Sequence, residues 1–277
     1  YAIAIVLPIV SFFFIIFGLM EDSGYLPRLA VMTNKIFKKM GLNGKAILPM
    51  VLGLGCGTMA TMITRILDGE KDRTLVTLLL ALGVPCSAQL GVILGMFSGL
   101  PPLYFLIWII LILGILIIVG YLASLIIPGE SSDFILEVPP LRIPQLTNVM
   151  VKTLARIEWY LKEAVPLFIL GTLILFLFHQ TKVLALLEKV ASPLVVYLLG
   201  LPAKVTEAFI IGFLRRDYGA AGLFVLAKEG KLNPHQILVS LVTLTLFIPC
   251  IAQFFMMVKE RGLKKSLWIS AVVFPIA

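Results

Sequence analysis

Residues 103–127 read LYFLIWIILILGILIIVGYLASLII, an uninterrupted run of 25 residues without a charged side chain. A helix that crosses the hydrocarbon core of a bilayer needs about 20 mostly apolar residues. Residues 1–20 form a second apolar run, which ends at Glu21 and Asp22. Because lipid offers no partners to backbone amides and carbonyls, these runs predict an α-helical integral membrane protein.

The composition of the whole chain supports this class. Hydrophobic residues make up 60% of the 277 residues and charged residues 14%, whereas ordinary soluble domains carry about 25% charged residues. The mean hydropathy is +1.06. The net charge of +8 comes from short basic clusters between apolar runs. Basic residues flank membrane spans in this way, so the charge favours a lipid bilayer over nucleic acid as the partner.

Further apolar segments extend the pattern along the chain, and we predict an all-α, polytopic membrane protein with about eight membrane segments. These further segments are residues 46–67, 75–97, 159–178, 183–200, 205–227, 236–258 and 267–277. Residues 25–40 alternate apolar and basic side chains, which predicts an amphipathic helix at the membrane interface. Both chain ends lie inside apolar runs, and we therefore expect a piece of a longer protein.

The two halves of the chain repeat the same motifs in the same order. Pro85-Cys86-Ser87-Ala88-Gln89 matches Pro249-Cys250-Ile251-Ala252-Gln253 at an offset of 164 residues, and Gly53 matches Gly212 at an offset of 159. We predict an internal duplication, with a first repeat at 1–127, a connecting loop at 128–150 and a C-terminally truncated second repeat at 151–277. Duplicated halves with Gly- or Pro-broken apolar segments in matching places are typical of secondary transporters.

Three breaks in the apolar segments carry the candidate functional residues. Gly53, Gly55 and Gly57 alternate around Cys56, and glycine lets a helix open or another backbone approach closely. The alternative is that these glycines only allow tight helix packing. The other two breaks are the Pro-Cys pairs at 85–86 and 249–250, since proline removes a backbone donor and frees a carbonyl.

All three cysteines of the chain, Cys56, Cys86 and Cys250, lie at these breaks. A buried cysteine is often only a small apolar residue. Its recurrence at repeat-equivalent breaks instead favours a metal path, with Gln89 and Gln253 as polar neighbours one turn on. Thiolate with amide oxygen suits a borderline transition metal better than Mg²⁺ or Ca²⁺.

A charged cluster interrupts the segment at 205–227. Arg215, Arg216 and Asp217 follow Gly212, at the position that matches Cys56-Gly57-Thr58 in the first half. Charges at membrane depth are costly and usually mark a pathway or a paired network. The alternative is that the segment ends early and the cluster lies at the interface. The stretch 68–73 is predicted to be a hydrated connection.

No nucleotide-binding motif is present in this chain. A P-loop requires G-x-x-x-x-G-K-[ST], and the nearest stretch, residues 41–46, has the wrong spacing and alanine after the lysine. We therefore predict that the chain itself is not an enzyme and binds no structural cofactor.

At the same breaks the sequence resembles the membrane domain of the ferrous iron transport protein B (FeoB) family. The resemblance spans nearly the whole chain. The matching residues are Gly24 to Arg28, Gly41 to Lys45, Leu48-Pro49-Met50, Gly53-Leu54-Gly55-Cys56, Met59-Ala60-Thr61, Thr64-Arg65, Asp72-Arg73, Pro85 to Gln89, and Pro249-Cys250. Two of these stretches also contain departures from the family pattern, because Gly55-Cys56 is followed by Gly57-Thr58-Met59 and Cys86 by Ser87-Ala88-Gln89. A third departure is Arg215-Arg216-Asp217, where the resemblance implies a Lys-Glu pair.

The resemblance implies two gate repeats that pass Fe²⁺, as substrate, across the bacterial inner membrane along the three cysteines. It also implies an N-terminal cytosolic G domain that binds GTP and Mg²⁺, a small accessory protein of the same iron system as a partner, and it allows a homo-oligomer. Two rivals remain open. One is a carrier for a nucleoside or other organic solute, and the other is a non-transporting membrane assembly protein with the gate fold.

Overall fold

The computed structural model describes residues 7–127, 143–180 and 192–276, apart from positions 194, 198 and 248. The described residues form helices and connections without a strand, which confirms the all-α prediction for this part of the chain. The helices are α1 Leu7–Asp22, α2 Tyr25–Lys39, α3 Ile47–Gly53, α4 Gly57–Ile63, α5 Glu70–Gly83, α6 Ser87–Phe97, α7 Pro102–Ile126, α8 Leu146–Trp159, α9 Val165–Gln180, α10 Ala203–Leu214, α11 Arg216–Lys228, α12 Pro234–Leu246, α13 Ile251–Arg261 and α14 Leu263–Ile276. A π-helical turn, Tyr160–Ala164, joins α8 to α9.

Three helical stretches of the described chain are long and apolar enough to cross a membrane. Their mean hydropathies are 1.9 for Glu70–Phe97, 3.0 for Pro102–Ile126 and 2.2 for Pro234–Arg261. The first and third of these are the broken pairs α5–α6 and α12–α13, while α7 is continuous. A membrane protein is the class that this composition indicates.

The continuous helix α7 turns much of its apolar surface outward. Only 28% of its most apolar window is buried, against 67% for the α5–α6 stretch. Ile118 is 60% exposed and Leu125 is 68% exposed. Apolar side chains at this density on a surface indicate a lipid-facing helix, whereas the broken stretch lies mainly inside the protein.

The predicted breaks are confirmed, and some predicted boundaries shift. The helix α5 ends at Gly83, before Val84-Pro85, because a residue that precedes proline is disfavoured in the α conformation. It begins at Glu70, five residues before the predicted segment. The helix α8 begins at Leu146, inside the stretch 128–150 that the sequence analysis assigned to the connection. The amphipathic helix predicted at 25–40 is α2.

Parts of three predicted segments lie outside the described residues. They are positions 1–6 of the first apolar run, 128–142 of the connecting loop, and 183–191 of the segment at 183–200.

The chain divides into two compact units. The first comprises Tyr1–Leu80 and Ile117–Phe168. Within its described residues, α1 packs along α8. Glu21 at the end of α1 accepts a hydrogen bond from Lys152 Nζ at 3.0 Å, and the Asp22 carboxylate accepts one from the Gln145 backbone N–H at 2.8 Å. These bonds fix the C-terminal end of α1 against the start of α8.

The second unit comprises Ala81–Leu116 and Ile169–Ala277. Here α10 packs against α11, and α11 packs against α6. A Cβ atom added at Gly219 would lie 2.5 Å from the Gly212 Cα and 2.6 Å from the Ala208 carbonyl oxygen. The glycines therefore let α10 and α11 approach to backbone contact, as small residues do between membrane helices.

Candidate transport site at the helix breaks

Each of the three cysteines directly precedes the first residue of a helix. Cys56 caps α4, Cys86 caps α6, and Cys250 caps α13. All three side chains are partly exposed. The prediction that the cysteines sit at helix breaks is therefore confirmed, and their role as metal ligands stays a prediction.

Positions that match between the two halves share their backbone conformation. Cys56 has φ −151° and ψ 114°, and Arg215, which matches it in the second half, has φ −146° and ψ 109°. Cys86 and Cys250 also agree, with φ −77° and ψ 165° for the first and φ −59° and ψ 155° for the second. An extended residue of this kind interrupts the helical ladder and leaves carbonyls at the preceding helix end without helical partners.

In the second unit, Arg216 forms hydrogen bonds to backbone carbonyl groups beside both Pro-Cys breaks. Its guanidinium donates to the Ala81 carbonyl oxygen at 3.0 Å, to that of Val84 at 3.3 Å and to that of Phe247 at 3.3 Å. The residue is 5% exposed. The charge of Arg216 is therefore buried against the ends of α5 and α12, and the depth of the charged cluster in the membrane stays a prediction.

Arg215, one residue earlier, points its side chain elsewhere. Its guanidinium carbon lies 4.4 Å from the centre of the Tyr218 ring, which is a cation–π contact. The backbone of Arg215 forms the break between α10 and α11. The side chain of Asp217, the third residue of the predicted cluster, lies outside what the structure describes.

The glutamines after the two Pro-Cys pairs are buried. Gln89 is 0% exposed and Gln253 is 1% exposed. Gln89 Nε2 donates to the Leu244 carbonyl oxygen at 3.2 Å. Among the described residues, Gln89 Oε1, Gln253 Nε2 and Ser240 Oγ find no hydrogen-bond partner. Buried polar atoms of this kind usually bind water, and a role of these glutamines in a solute path stays a prediction.

Gly55, directly before Cys56, lies in close contact with an aromatic side chain of the first unit. A Cβ atom added at Gly55 would lie 2.3 Å from Phe13 Cε1. Gly53 and Gly55 are buried, and Gly57 begins α4. Gly55 therefore allows a close contact, as the packing alternative supposes, and a role of Gly53, Gly55 and Gly57 in shaping the break stays a prediction.

The predicted residues fall in both compact units. Cys56 and its glycines belong to the first unit, and Cys86, Gln89, Cys250, Gln253, Arg215, Arg216 and Asp217 belong to the second. The described residues contain no group of three or more His, Cys, Asp or Glu side chains arranged to hold a metal ion.

The structure contains one buried polar pair that was not predicted from the sequence. Asn43 Nδ2 donates to Asp72 Oδ2 at 3.2 Å, and the two residues are 4% and 0% exposed. The prediction of a hydrated connection at 68–73 is therefore wrong for Asp72, because tertiary packing covers it although its neighbours are charged. Both residues lie in motifs that resemble the FeoB family, and this is the signal in the sequence that could have pointed to the pair.

Comparison with known proteins identifies the family. The Gate model, described as "Nucleoside recognition", matches residues 3–100 and again residues 161–264. A model described as "Ferrous iron transport protein B C terminus" matches residues 105–156. No solved structure matches the chain.

Curated relatives point the same way. A protein named Fe(2+) transporter FeoB from Methanocaldococcus jannaschii is 27% identical over 96% of this chain and 45% of its own length. A protein of the same name from Staphylococcus aureus MSSA476 is 27% identical over 97% of this chain and 44% of its own length. Another, from Legionella pneumophila Lens, is 33% identical over 59% of this chain and 22% of its own length. The chain thus spans less than half the length of these relatives. The chain belongs to the Gate family and covers the membrane part of ferrous iron transport protein B.

Proposed function

We propose that this chain passes Fe²⁺ across the membrane, as the membrane domain of a ferrous iron transporter, along a path that includes Cys56, Cys86 and Cys250. The observation that carries the proposal is that each cysteine caps a helix at a break, with Cys86 and Cys250 in matching backbone conformations. The names of the relatives support iron as the transported substrate.

The chemistry of these residues suits Fe²⁺. A cysteine thiolate binds divalent transition metals, and amide oxygens are weaker ligands that allow release. Gln89 and Gln253 follow the two Pro-Cys pairs by one helical turn and are buried. We propose that their amide groups replace part of the water shell of the ion as it passes the breaks.

We propose an architecture of about eight membrane segments in two gate repeats, at 1–127 and 151–277, joined by 128–150. The double match of one family model supports the duplication. The location is the bacterial inner membrane, with the chain crossing it several times. A chain of such apolar composition requires a lipid bilayer as its solvent.

In this proposal, the energy for transport is supplied by another part of the full-length protein. A cytosolic G domain that binds GTP and Mg²⁺ is expected N-terminal to it, and a small accessory protein of the iron system is expected as a partner. The proposal includes no covalent chemistry within this membrane domain and is compatible with a homo-oligomer.

A second candidate is a carrier for a nucleoside or other organic solute. The description "Nucleoside recognition" that the Gate model bears favours it, and the buried amide of Gln89 could bind a base or ribose. A third candidate, a membrane assembly protein with the gate fold, predicts no solute flux. The cysteines separate the first candidate from the second, since thiolates bind a metal ion and contribute little to recognition of a nucleoside.

Anaerobic uptake of radioactive Fe²⁺ into cells that express the full-length protein tests the proposal. Cys86→Ser and Cys250→Ser are compared with the native protein and with Ser98→Ala at equal membrane expression. Ser98 is an exposed residue that directly follows α6, and its hydroxyl donates to the local Gly95 carbonyl oxygen at 2.8 Å. We expect both cysteine variants to fall to background and Ser98→Ala to match native.

Two results would count against the iron path. Native uptake without any effect of the cysteine variants would show that the cysteines are packing residues. No native uptake of iron, together with uptake of a labelled nucleoside, would favour the second candidate.

A further inference from the structure

The buried guanidinium of Arg216 sits where helix ends present their carbonyl groups. Ala81 belongs to the last turn of α5, Val84 follows that helix, and Phe247 follows α12. All three carbonyl oxygens accept from Arg216 at 3.0–3.3 Å. The last carbonyls of a helix have no helical partners and carry partial negative charge. Two broken helices thus direct their negative ends at one positive charge.

Carbonyls of this kind bind cations in membrane transport proteins. Unwound backbone and half-helix C-terminal ends coordinate Na⁺ or H⁺ in several transporter folds. The three carbonyls around Arg216, which we name the carbonyl cradle, have this origin. Here a side chain of the protein itself, Arg216, supplies the positive charge.

We propose that Arg216 is a built-in cation that occupies a monovalent cation site formed by the carbonyls of Ala81, Val84 and Phe247. The native protein therefore needs no Na⁺ or K⁺ at this position, because the guanidinium already joins the ends of α5 and α12. When the guanidinium is removed, the carbonyl cradle accepts Na⁺ or K⁺ from solution in its place. This inference does not depend on the identity of the transported substrate.

The neighbouring arginine provides the matched comparison. Arg215 has the same charge and lies one residue away, but its guanidinium stacks on the Tyr218 ring. It is partly exposed, whereas Arg216 is 5% exposed. A general effect of removing one positive charge from this region should appear equally in Arg215→Ala and Arg216→Ala. Occupation of the carbonyl cradle should appear in Arg216→Ala alone.

The experiment measures the thermal unfolding midpoint of the purified protein in detergent without iron. Native protein, Arg216→Ala, Arg216→Lys and Arg215→Ala are each measured in sodium, potassium and choline chloride at equal ionic strength. A ligand that binds only the folded state raises the midpoint as its concentration increases. We expect Arg216→Ala to be least stable in choline and to gain several degrees, in a saturable manner, in sodium or potassium.

For each of the other three proteins, the midpoint should not change from one salt to another. The native protein and Arg215→Ala keep Arg216 in the carbonyl cradle, and in Arg216→Lys the ammonium group keeps a cation there. Equal midpoints of Arg216→Ala in the three salts would overturn the proposal, as would an equal sodium response of Arg215→Ala. Arg216→Gln is measured in parallel in case the alanine variant does not fold. Failure of both variants to fold even in high sodium or potassium would also overturn it, because the carbonyl cradle would then accept no free ion.

The readout separates this inference from the proposed function. A salt response of Arg216→Ala would support the built-in cation even if no iron uptake were found. Conversely, iron uptake that depends on Cys86 would stand unchanged if the unfolding midpoint of Arg216→Ala were independent of the salt.

Discussion

Gln89 Nε2 donates to the backbone carbonyl oxygen of Leu244 at 3.2 Å, which links the first turn of α6 to the last turn of α12. Leu244 is among the last residues of its helix, so its carbonyl is one that a helix end leaves without a regular partner. Both groups are buried. The contact joins residues 155 positions apart in sequence, and it lies beside the two Pro-Cys breaks.

Gln89→Leu should destabilise the protein by about 1–3 kcal/mol, because it leaves the Leu244 carbonyl oxygen buried without this donor. The measurement is the unfolding midpoint in detergent, with Ser98→Ala as the control on the same helix. Ser98 is exposed, and surface changes of this kind usually stay within about 0.5 kcal/mol. An unchanged midpoint for Gln89→Leu would mean that the bond contributes nothing net to the fold.

Gly55→Ala should destabilise the first unit by about 1–3 kcal/mol through overpacking. The added Cβ atom would lie 2.3–2.5 Å from three atoms of the Phe13 ring, so the ring or its helix must move. Gly91→Ala is the control, since beyond its own helical turn its added Cβ meets no described residue within 4 Å and alanine favours a helix.

The Phe13 ring allows a direct test of this cause. Phe13→Leu combined with Gly55→Ala should recover part of the loss, because the smaller side chain frees the space that the new methyl group needs. A double-mutant cycle measures this coupling. Purely additive effects of the two changes would mean that the loss arises from the backbone at Cys56 and not from the ring.

Gly219→Ala should be more damaging than Gly212→Ala, although both glycines lie at the contact between α10 and α11. At Gly219 the added Cβ atom meets backbone, 2.5 Å from the Gly212 Cα. At Gly212 it meets the end of a side chain, 3.1 Å from Leu244 Cδ1, which can shift. The expression level and the unfolding midpoint of both variants show which substitution causes the larger loss. A larger loss at Gly212 would contradict the close approach of the two helices.

The sequence predicted the helices and breaks of this fold well, for a simple physical reason. Apolar run length and the prolines at 85 and 249 act locally, through burial in lipid and loss of a backbone donor. The break at Arg215 was not among the three predicted breaks, although the match of Arg215 to Cys56 in the repeat could have pointed to it. Its backbone angles agree with those of Cys56 to within 5° in φ and 5° in ψ.

The partners of the polar side chains could not be predicted in this way. Arg215 and Arg216 are adjacent and chemically identical, yet one stacks on Tyr218 and the other reaches carbonyls 31–135 residues away. Tertiary packing decides which of the two points inward. The same holds for Asp72, whose charged neighbours suggested exposure while Asn43, 29 residues earlier, covers it from a different segment.

Asn43→Ala should destabilise the first unit by about 1–3 kcal/mol, because Asp72 then remains buried without that donor. The change also removes the acceptor of the Lys45 backbone N–H, which lies 3.0 Å from Asn43 Oδ1. Asp68→Asn is the matched control. Its ion pair with Lys45, at 2.7 Å, has an Asp68 side chain that is 56% exposed, and exposed pairs contribute about 0–1 kcal/mol.

Urea or thermal unfolding of both variants gives the comparison. Asn43→Asp should destabilise the protein more than Asn43→Ala, since it places a second carboxyl group next to the buried carboxyl group of Asp72. Native stability of Asn43→Asp would show that the hydrogen bond from Asn43 to Asp72 does not stabilise this region.

The cysteines themselves allow a test of access that does not depend on uptake. Cys86 and Cys250 are partly exposed, and a residue on a water-filled path should react with a small charged thiol reagent that cannot dissolve in lipid. Cys56, Cys86 and Cys250 are each retained alone in a variant whose other two cysteines are replaced by serine. We expect the Cys86 and Cys250 proteins to be modified, because the thiolate is the reactive species and forms only where water or polar groups reach it.

Fe²⁺ or Cd²⁺ should slow the modification of each cysteine if the thiolates bind the passing ion, and Mg²⁺ at the same concentration should not. Modification by an apolar maleimide alone, without reaction with the charged reagent, would show that these thiols face lipid or packed protein. Reaction that no soft metal slows would place the cysteines on a water path but remove them from the ligand set. Protection by Fe²⁺ of Cys86 and Cys250 but not of Cys56 would locate the metal site in the second unit, where Arg216 joins the two Pro-Cys breaks.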